Sequence, residues 1–254
     1  MKRILLAGAT LLALTAAQPT LAADAPVYKG PAPVAAAPIF NWSGFYAGGS
    51  LGGVWSQVDR FYPQAIGGAL TATTSDTDGI WGLHVGAQGQ WGQWVLGIEA
   101  SFSRGFNDMR GRAALPTPPF AADTSGRNTI TNLFLIGPRL GFAGDRWMVY
   151  GTGGYAQGRV GAEYAFTSTD ADRFLAFWGS ATNNGWFAGL GIEYALWTTG
   201  GFAWIFGAEY IHFDLGSAAT FCFNPGCAPI NAEDYRNRAR GDIIRARLSI
   251  KTGG

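Results

Sequence analysis

Charge is scarce in this 254-residue sequence: Asp, Glu, Lys and Arg make up 14% of it, against about 25% in an ordinary soluble domain. What charge there is balances, with 18 Lys and Arg against 17 Asp and Glu. The chain therefore has no basic excess for nucleic-acid phosphates, and no nucleic-acid partner is expected. Histidine occurs only twice, too thin a set for a zinc site of three or four ligands. Long apolar runs are missing too, since no internal stretch reaches the roughly 18 apolar residues a membrane-crossing helix needs. Disorder is excluded, because 48% of the residues are hydrophobic. Glycine (38 residues) and aromatic side chains (14%) are what the chain has in quantity. Greasy, glycine-rich and aromatic, yet without spanning helices, it points to a transmembrane β-barrel.

The N-terminus supplies an address. Lys2-Arg3 precedes an apolar run from Ile4 to Ala17, and Leu21-Ala22-Ala23 offers small residues for cleavage. This pattern predicts a secretory signal peptide over residues 1–23, cut after Ala22 or Ala23. Residues 24–40 carry Pro26, Pro31, Pro33 and Pro38 among alanines. That spacing suits neither strand nor helix and predicts a partly polyproline linker. The barrel is expected over residues 41–254.

From Asn41 onward the two-residue period of a strand recurs. Phe45, Ala47, Gly49, Leu51, Gly53 and Trp55 share one face of the first segment, 44–58. In the second, 78–91, Trp81, Leu83, Val85, Ala87 and Trp91 oppose His84, Gly86, Gln88 and Gln90. In the third, Trp94, Leu96, Ile98, Ala100 and Phe102 oppose Gly97, Glu99, Ser101 and Ser103. Apolar-out and polar-in is the dyad of a membrane barrel. Further segments at 128–142, 147–160, 185–196, 202–215 and 242–251 make eight, and the predicted fold is all-β, an eight-stranded antiparallel up-and-down barrel. The predicted connections alternate: long at 59–77, 104–127, 161–184 and 216–241, short at 92–93, 143–146 and 197–201. Short turns face the periplasm in outer-membrane barrels and long loops face outward.

Tryptophan positions fit two aromatic girdles. Trp42, Trp91, Trp94, Trp147 and Trp197 fall at predicted periplasmic strand ends, and Trp55, Trp81 and Trp186 near the extracellular ends. A soluble β-sandwich would instead place tryptophan in its core. The fourth segment breaks the pattern, for Leu133 and Leu135 fall on the inward phase and Pro138 removes a ladder hydrogen bond. A bulge near Pro138 is one way to reset the phase, and the sequence leaves this open.

The Ala/Pro-rich lead-in running into FNWSGFYAGGSLGG, followed by RLGFAGDRWMVYGTGG, GWFAGLGIEYAL and AEYIHFDLG, resembles the alphaproteobacterial outer-membrane β-barrel family, porin-like or outer-membrane immunogenic proteins related to the OmpA-type eight-stranded barrel. The resemblance implies the cell outer membrane as location. It implies outer-membrane lipids and lipopolysaccharide, the barrel-insertion machinery, and host or cell-wall contacts as partners. Family members are variously described as envelope-stabilising surface antigens, adhesins or haemin binders. Two departures stand out: Thr252 occupies the place of a terminal aromatic, and Gly137 stands where the family tends to carry an inward Arg.

Glu99, Arg139, Glu193, Glu209 and Arg245 all lie on inward phases, with Arg247 and Lys251 nearer the periplasmic end. An eight-stranded interior is just wide enough for side chains to fill it, so a salt-bridge network plugging the lumen is expected; a gated ion path or paired catalytic carboxylates are the alternatives. His212-Phe213-Asp214 sits at the outer rim without an assignable Ser partner, and His84 points inward. Cys222 and Cys227 enclose Phe-Asn-Pro-Gly, a type II turn that suits a disulfide in an oxidising compartment. The glycine pairs lack the strand, GxGxxG and helix context of a phosphate cradle. The leading expectation is a structural, non-enzymatic barrel without a cofactor, stabilising the envelope and displaying loops for adhesion or ligand capture. A narrow porin-like channel and an outer-rim enzyme or haemin binder are its rivals.

Overall fold

Two-residue alternation runs through the strands, as the barrel reading requires. The computed structural model describes residues 40–62, 70–106, 111–114, 125–166, 175–219 and 236–253. The expected cleavage site at Ala22-Ala23, the expected linker up to residue 39 and the expected Cys222–Cys227 bridge lie outside the described residues.

The strands are β1 (Gly44–Tyr62), β2 (Leu70–Trp91), β3 (Trp94–Gly105), β4 (Gly111–Ala114), β5 (Ser125–Ala143), β6 (Trp147–Phe166), β7 (Leu175–Thr199), β8 (Phe202–Ala219) and β9 (Arg236–Thr252). Each long strand pairs antiparallel with its sequence neighbours, β1 pairs with β9, and β3 pairs with β5. Eight strands therefore close a ring, which satisfies every ladder and leaves no edge. The ninth, β4, lies within the expected 104–127 connection and pairs only with β5. The other long connections are corrected in length: β1 and β2 stay paired out to Tyr62 and Leu70, β6 and β7 to Phe166 and Leu175. The added part of β2 is the run LTATTSDT, without apolar alternation, so periodicity against a lipid boundary does not mark it. The short turns fall at 92–93, 144–146 and 200–201. Gly200 and Gly201 both have positive φ, 60° and 85°, the requirement of a two-residue type I′ hairpin.

The outward face is apolar, with Phe45, Leu51, Leu83, Leu190 and Ile244 all more than half exposed. Trp91, Trp94, Trp147 and Trp197 face outward at the short-turn end, and Trp55, Trp81 and Trp186 toward the other. Strict alternation from Ile192 would turn Trp197 inward, but a register shift between Ala195 and Trp197 returns it to the outer wall. Trp42 is a correction. It is fully buried inside the short-turn mouth with Val95, Met148 and Ile205, and takes no part in the lipid-facing girdle. Its backbone is stapled there: Trp42 N–H donates to Gln90 Oε1 at 2.7 Å and Gln88 Nε2 donates to Trp42 O at 2.8 Å.

The inward face is not uniformly polar, which corrects the simple dyad. Leu133 and Leu135 do point inward, at 1% and 2% exposure, and join Val54, Ile80, Phe213 and Ile243 in an apolar layer filling the loop-end half. The register passes Pro138 unshifted, from Ile136↔Tyr155 to Arg139↔Thr152, and the bulge lies earlier, between Ile130 and Leu133. Pro138 faces outward, where its missing N–H costs one ladder bond without turning the strand over. The lumen is thus stacked in three layers: apolar toward the loops, ionic in the middle, apolar again around Trp42.

Candidate functional site: an ionic belt across the lumen

Each of the eight ring strands sends a polar side chain inward to one level. They are Tyr46 (β1), His84 (β2), Glu99 (β3), Arg139 (β5), Tyr150 (β6), Glu193 (β7), Glu209 (β8) and Arg245 with Arg247 (β9), all 9% exposed or less. Three carboxylates meet three guanidiniums, so the layer balances internally. A charge buried away from water needs this, because an unpaired one costs several kcal/mol.

Arg247 is the hub. Its Nη2 lies 2.6 Å from Glu99 Oε2, and its Nη1 donates to Glu99 Oε1 at 2.9 Å and to Glu209 Oε1 at 3.0 Å. Arg139 bridges Glu99 (3.2 Å) and Glu193 (2.5 Å). Arg245 pairs with Glu209 at 2.6 Å. Two tyrosines complete the sites: Tyr46 Oη donates to Glu99 Oε2 at 2.8 Å and Tyr150 Oη to Glu209 Oε1 at 3.0 Å. The Arg139 guanidinium also stacks over the Tyr150 ring, 3.7 Å from its centroid, a cation–π contact.

All five ionisable residues singled out in the sequence are therefore brought together. Arg247, placed there only as a neighbour nearer the periplasm, is the most connected member. Tyr46 and Tyr150 were missed. Their signal was present: each is an inward aromatic opposite an inward glycine, Tyr46↔Gly86 and Tyr150↔Gly191. The rings lie across those glycines, so that a Cβ would fall 2.3 Å from the Tyr46 ring at Gly86 and 2.3 Å from Tyr150 at Gly191. Gly86→Ala and Gly191→Ala should therefore each push a tyrosine out of the belt and cost about 1–3 kcal/mol in a urea titration. Gly151→Ala, whose new Cβ would meet nothing nearer than 3.7 Å, is the control and should be close to neutral.

Gly137 also faces inward, and a Cβ there would lie 2.1 Å from the Gly153 carbonyl oxygen. No side chain fits, and the inward arginine of this strand sits two residues on, at Arg139. Lys251 lies below the belt, buried, donating to Ser43 O at 2.7 Å and to Gly253 O.

The histidines are separated. His84 Nε2 is 2.7 Å from Ser249 Oγ inside the lumen. His212 is on the outer wall, its Nδ1 2.9 Å from Asp242 Oδ1, with Ala188 and Asp242 as its cross-strand neighbours. Neither cross-strand neighbour brings a Ser or Cys nucleophile to the imidazole, so a Ser/His/acid set is not assembled across these strands. Among the described residues no three His, Cys, Asp or Glu side chains converge on a metal-sized site.

The matching family and the sequence relatives agree with an outer-membrane barrel. The outer membrane protein beta-barrel domain family matches residues 8–240. The chain is 32% identical over 236 residues to the 31 kDa outer-membrane immunogenic proteins of Brucella melitensis and Brucella suis, covering 85% of this chain and 88% of theirs. Among solved structures, the outer membrane protein OprG of Pseudomonas aeruginosa is similar at a TM-score of 0.45 and 12% identity, covering 83% of this chain and 97% of that one. The chain belongs to the outer-membrane protein β-barrel family and is a protein of the cell outer membrane.

Proposed function

We propose that this barrel is a sealed, non-catalytic structural element of the outer membrane that stiffens the envelope and displays its four loop-end connections for adhesion or ligand capture. One observation carries the reading. Residues lining an open channel would be wetted, yet the inward side chains of all three layers are nearly solvent-free: Phe213 and Ile243 at 0%, Arg139 and Arg247 at 1%, Trp42 and Met148 at 0%. Water needs room as well as polar partners along its path, and on both sides of the belt the lumen is filled by apolar clusters around Phe213 and Trp42 whose few polar neighbours, such as Asn183, Gln88 and Lys251, are themselves buried. The Brucella relatives are named as immunogenic, which fits loops exposed at a cell surface.

On this reading the partners are outer-leaflet lipids and lipopolysaccharide along the wall, the barrel-insertion machinery during assembly, and host or cell-wall molecules at the two ends. The signal peptide over 1–23 and the 24–40 linker would deliver and tether the chain on the periplasmic side. Planar-bilayer recording of the folded, heat-modifiable protein should show no steady conductance. Reproducible single-channel steps from the wild type would replace this proposal with the narrow-channel reading.

A further inference from the structure

We infer that the outer wall formed by β8, β9 and β1 holds the phosphate of an outer-leaflet glycolipid headgroup against Arg238 and Arg240, an inference that rests on the proposed placement of the loop end at the cell surface.

Along the outward face of β9 the side chains change abruptly. Leu248 and Ile244 are lipid-type residues, about half exposed, and the next outward positions are Asp242, Arg240, Arg238 and Arg236. Trp55 lies directly across from Asp242 and Trp186 across from Asp214, which is in turn across from Arg240. Each two-residue step raises the wall by about 5 Å at a strand tilt near 40°. The arginines therefore stand one to three steps above the aromatic girdle, at the depth of headgroups and not of acyl chains.

The patch carries acids as well, and their burial decides its sign. Asp214 is paired with Arg238, and its side chain is 8% exposed against 53% for the arginine. Asp59 pairs with Arg240 at 3.2 Å, at 24% against 42%. Gln57 Oε1 accepts from Arg240 Nε at 3.0 Å. Asp242, lower down, accepts from Tyr210 Oη at 2.6 Å and from His212 Nδ1 at 2.9 Å. Asp214 and Asp59 are thus tucked beneath the wall's outer layer, where they hold the guanidiniums upright, while Asp242, one step lower and 42% exposed, is engaged by Tyr210 and His212. Above that step the outer layer offered to the leaflet is made by the arginines. Among described side chains the outer wall at this end carries Arg104, Arg159, Arg236, Arg238 and Arg240 against only Asp59, Asp214 and Asp242. Three of those arginines share one strand at two-residue spacing, a ladder about 7 Å in pitch. Asp214 takes Nε and Nη2 of Arg238, and Gln57 and Asp59 take Nε and Nη2 of Arg240. A phosphate would thus be met by the outer Nη1 of each, two charge-assisted donors on adjacent steps, and the Trp55 ring below offers apolar footing for the sugar.

The test uses the full chain folded into phosphatidylcholine nanodiscs doped with diphosphorylated lipid A or with the same lipid stripped of its phosphates. Retained lipid is counted by native mass spectrometry. Wild type should hold the phosphorylated form roughly tenfold more tightly, and an Arg238→Gln, Arg240→Gln double variant should lose that preference. Arg240→Gln alone, which leaves Asp214 paired, should give an intermediate loss and serves if the double variant does not insert. Equal retention of the two lipids by wild type, or an unchanged preference in the variants, overturns the inference. So does displacement of the lipid by millimolar inorganic phosphate, which would mark a site for a soluble anion. Heat-modifiable mobility and conductance, read on the same samples, report on the sealed barrel separately.

Discussion

Arg247→Ala should be the most damaging single change in the lumen, lowering stability by about 3–5 kcal/mol. Arg247 touches both oxygens of Glu99 and one oxygen of Glu209, and also donates to Tyr150 Oη at 3.1 Å. Its loss leaves three buried carboxylates to two guanidiniums, in a layer whose neighbours on either side are apolar. Water cannot readily enter to solvate the surplus charge, so the penalty falls on the fold. Urea unfolding of the lipid-reconstituted protein, followed by heat-modifiable gel mobility, measures it. The neutral double replacement Glu209→Met, Arg245→Met removes a pair that is 2.6 Å apart and should cost less than either single change, since it strands one charge of neither sign. Because the belt is buried, adding salt should alter these differences little. A loss under about 1 kcal/mol for Arg247→Ala would mean that the belt is wet, against the buried-pair argument.

Trp42→Ala is expected to be nearly as costly, about 3–5 kcal/mol, the range for deleting a large buried aromatic ring. The indole is fully buried among Val95, Ala143, Met148, Tyr150, Ala195 and Ile205, with Phe40 edge-on at 4.9 Å. The backbone staples from Gln88 and Gln90, and the 2.9 Å bond from Gln90 N–H to Ser43 Oγ, do not depend on the indole. The variant should thus keep its entry path and lose the cork alone. Small thiol reagents should then reach a cysteine placed at Met148 from the short-turn side, while conductance stays absent because the ionic belt and the loop-end layer remain. Stability within 1 kcal/mol of wild type would show that the mouth is closed by something other than Trp42.

Much of this was legible in the chain because it is written locally. The outward faces of β1, β2 and β3 follow from alternation against a lipid boundary, and the three tight connections follow from Gly92-Gln93, the Gly144–Arg146 bend and Gly200-Gly201. The lumen charges were also readable, since a Glu or Arg on an inward phase in an eight-stranded barrel has nowhere to go but the interior. Three features were not legible. Beyond the bilayer there is no apolar contrast, so β2 was expected to begin at residue 78 and begins at Leu70. Bulges cannot be read from periodicity, because one extra residue flips every later side chain. The shifts at 130–133 and 195–197 therefore appear only once the partner strand is seen. Trp42 precedes the first paired residue, where no phase exists to aim it.

By itself, then, the sequence determined the outer-membrane barrel, the number of its ring strands and, Trp42 apart, the aromatic and aliphatic side chains that meet lipid, all properties of short-range pattern. Tertiary structure alone decided what the inward residues do for one another. Leu133 and Leu135 read as anomalies on a polar face until Val54 of β1, Ile80 of β2 and Phe213 of β8 arrive around them to make an apolar layer. Arg247 became the hub only because ring closure lays β9 within reach of Glu99 on β3 and Glu209 on β8, 148 and 38 residues away in the chain. The lumen is sealed by contacts across the barrel, and their partners are set by closure of the ring and the stagger of its strands, information no single strand contains.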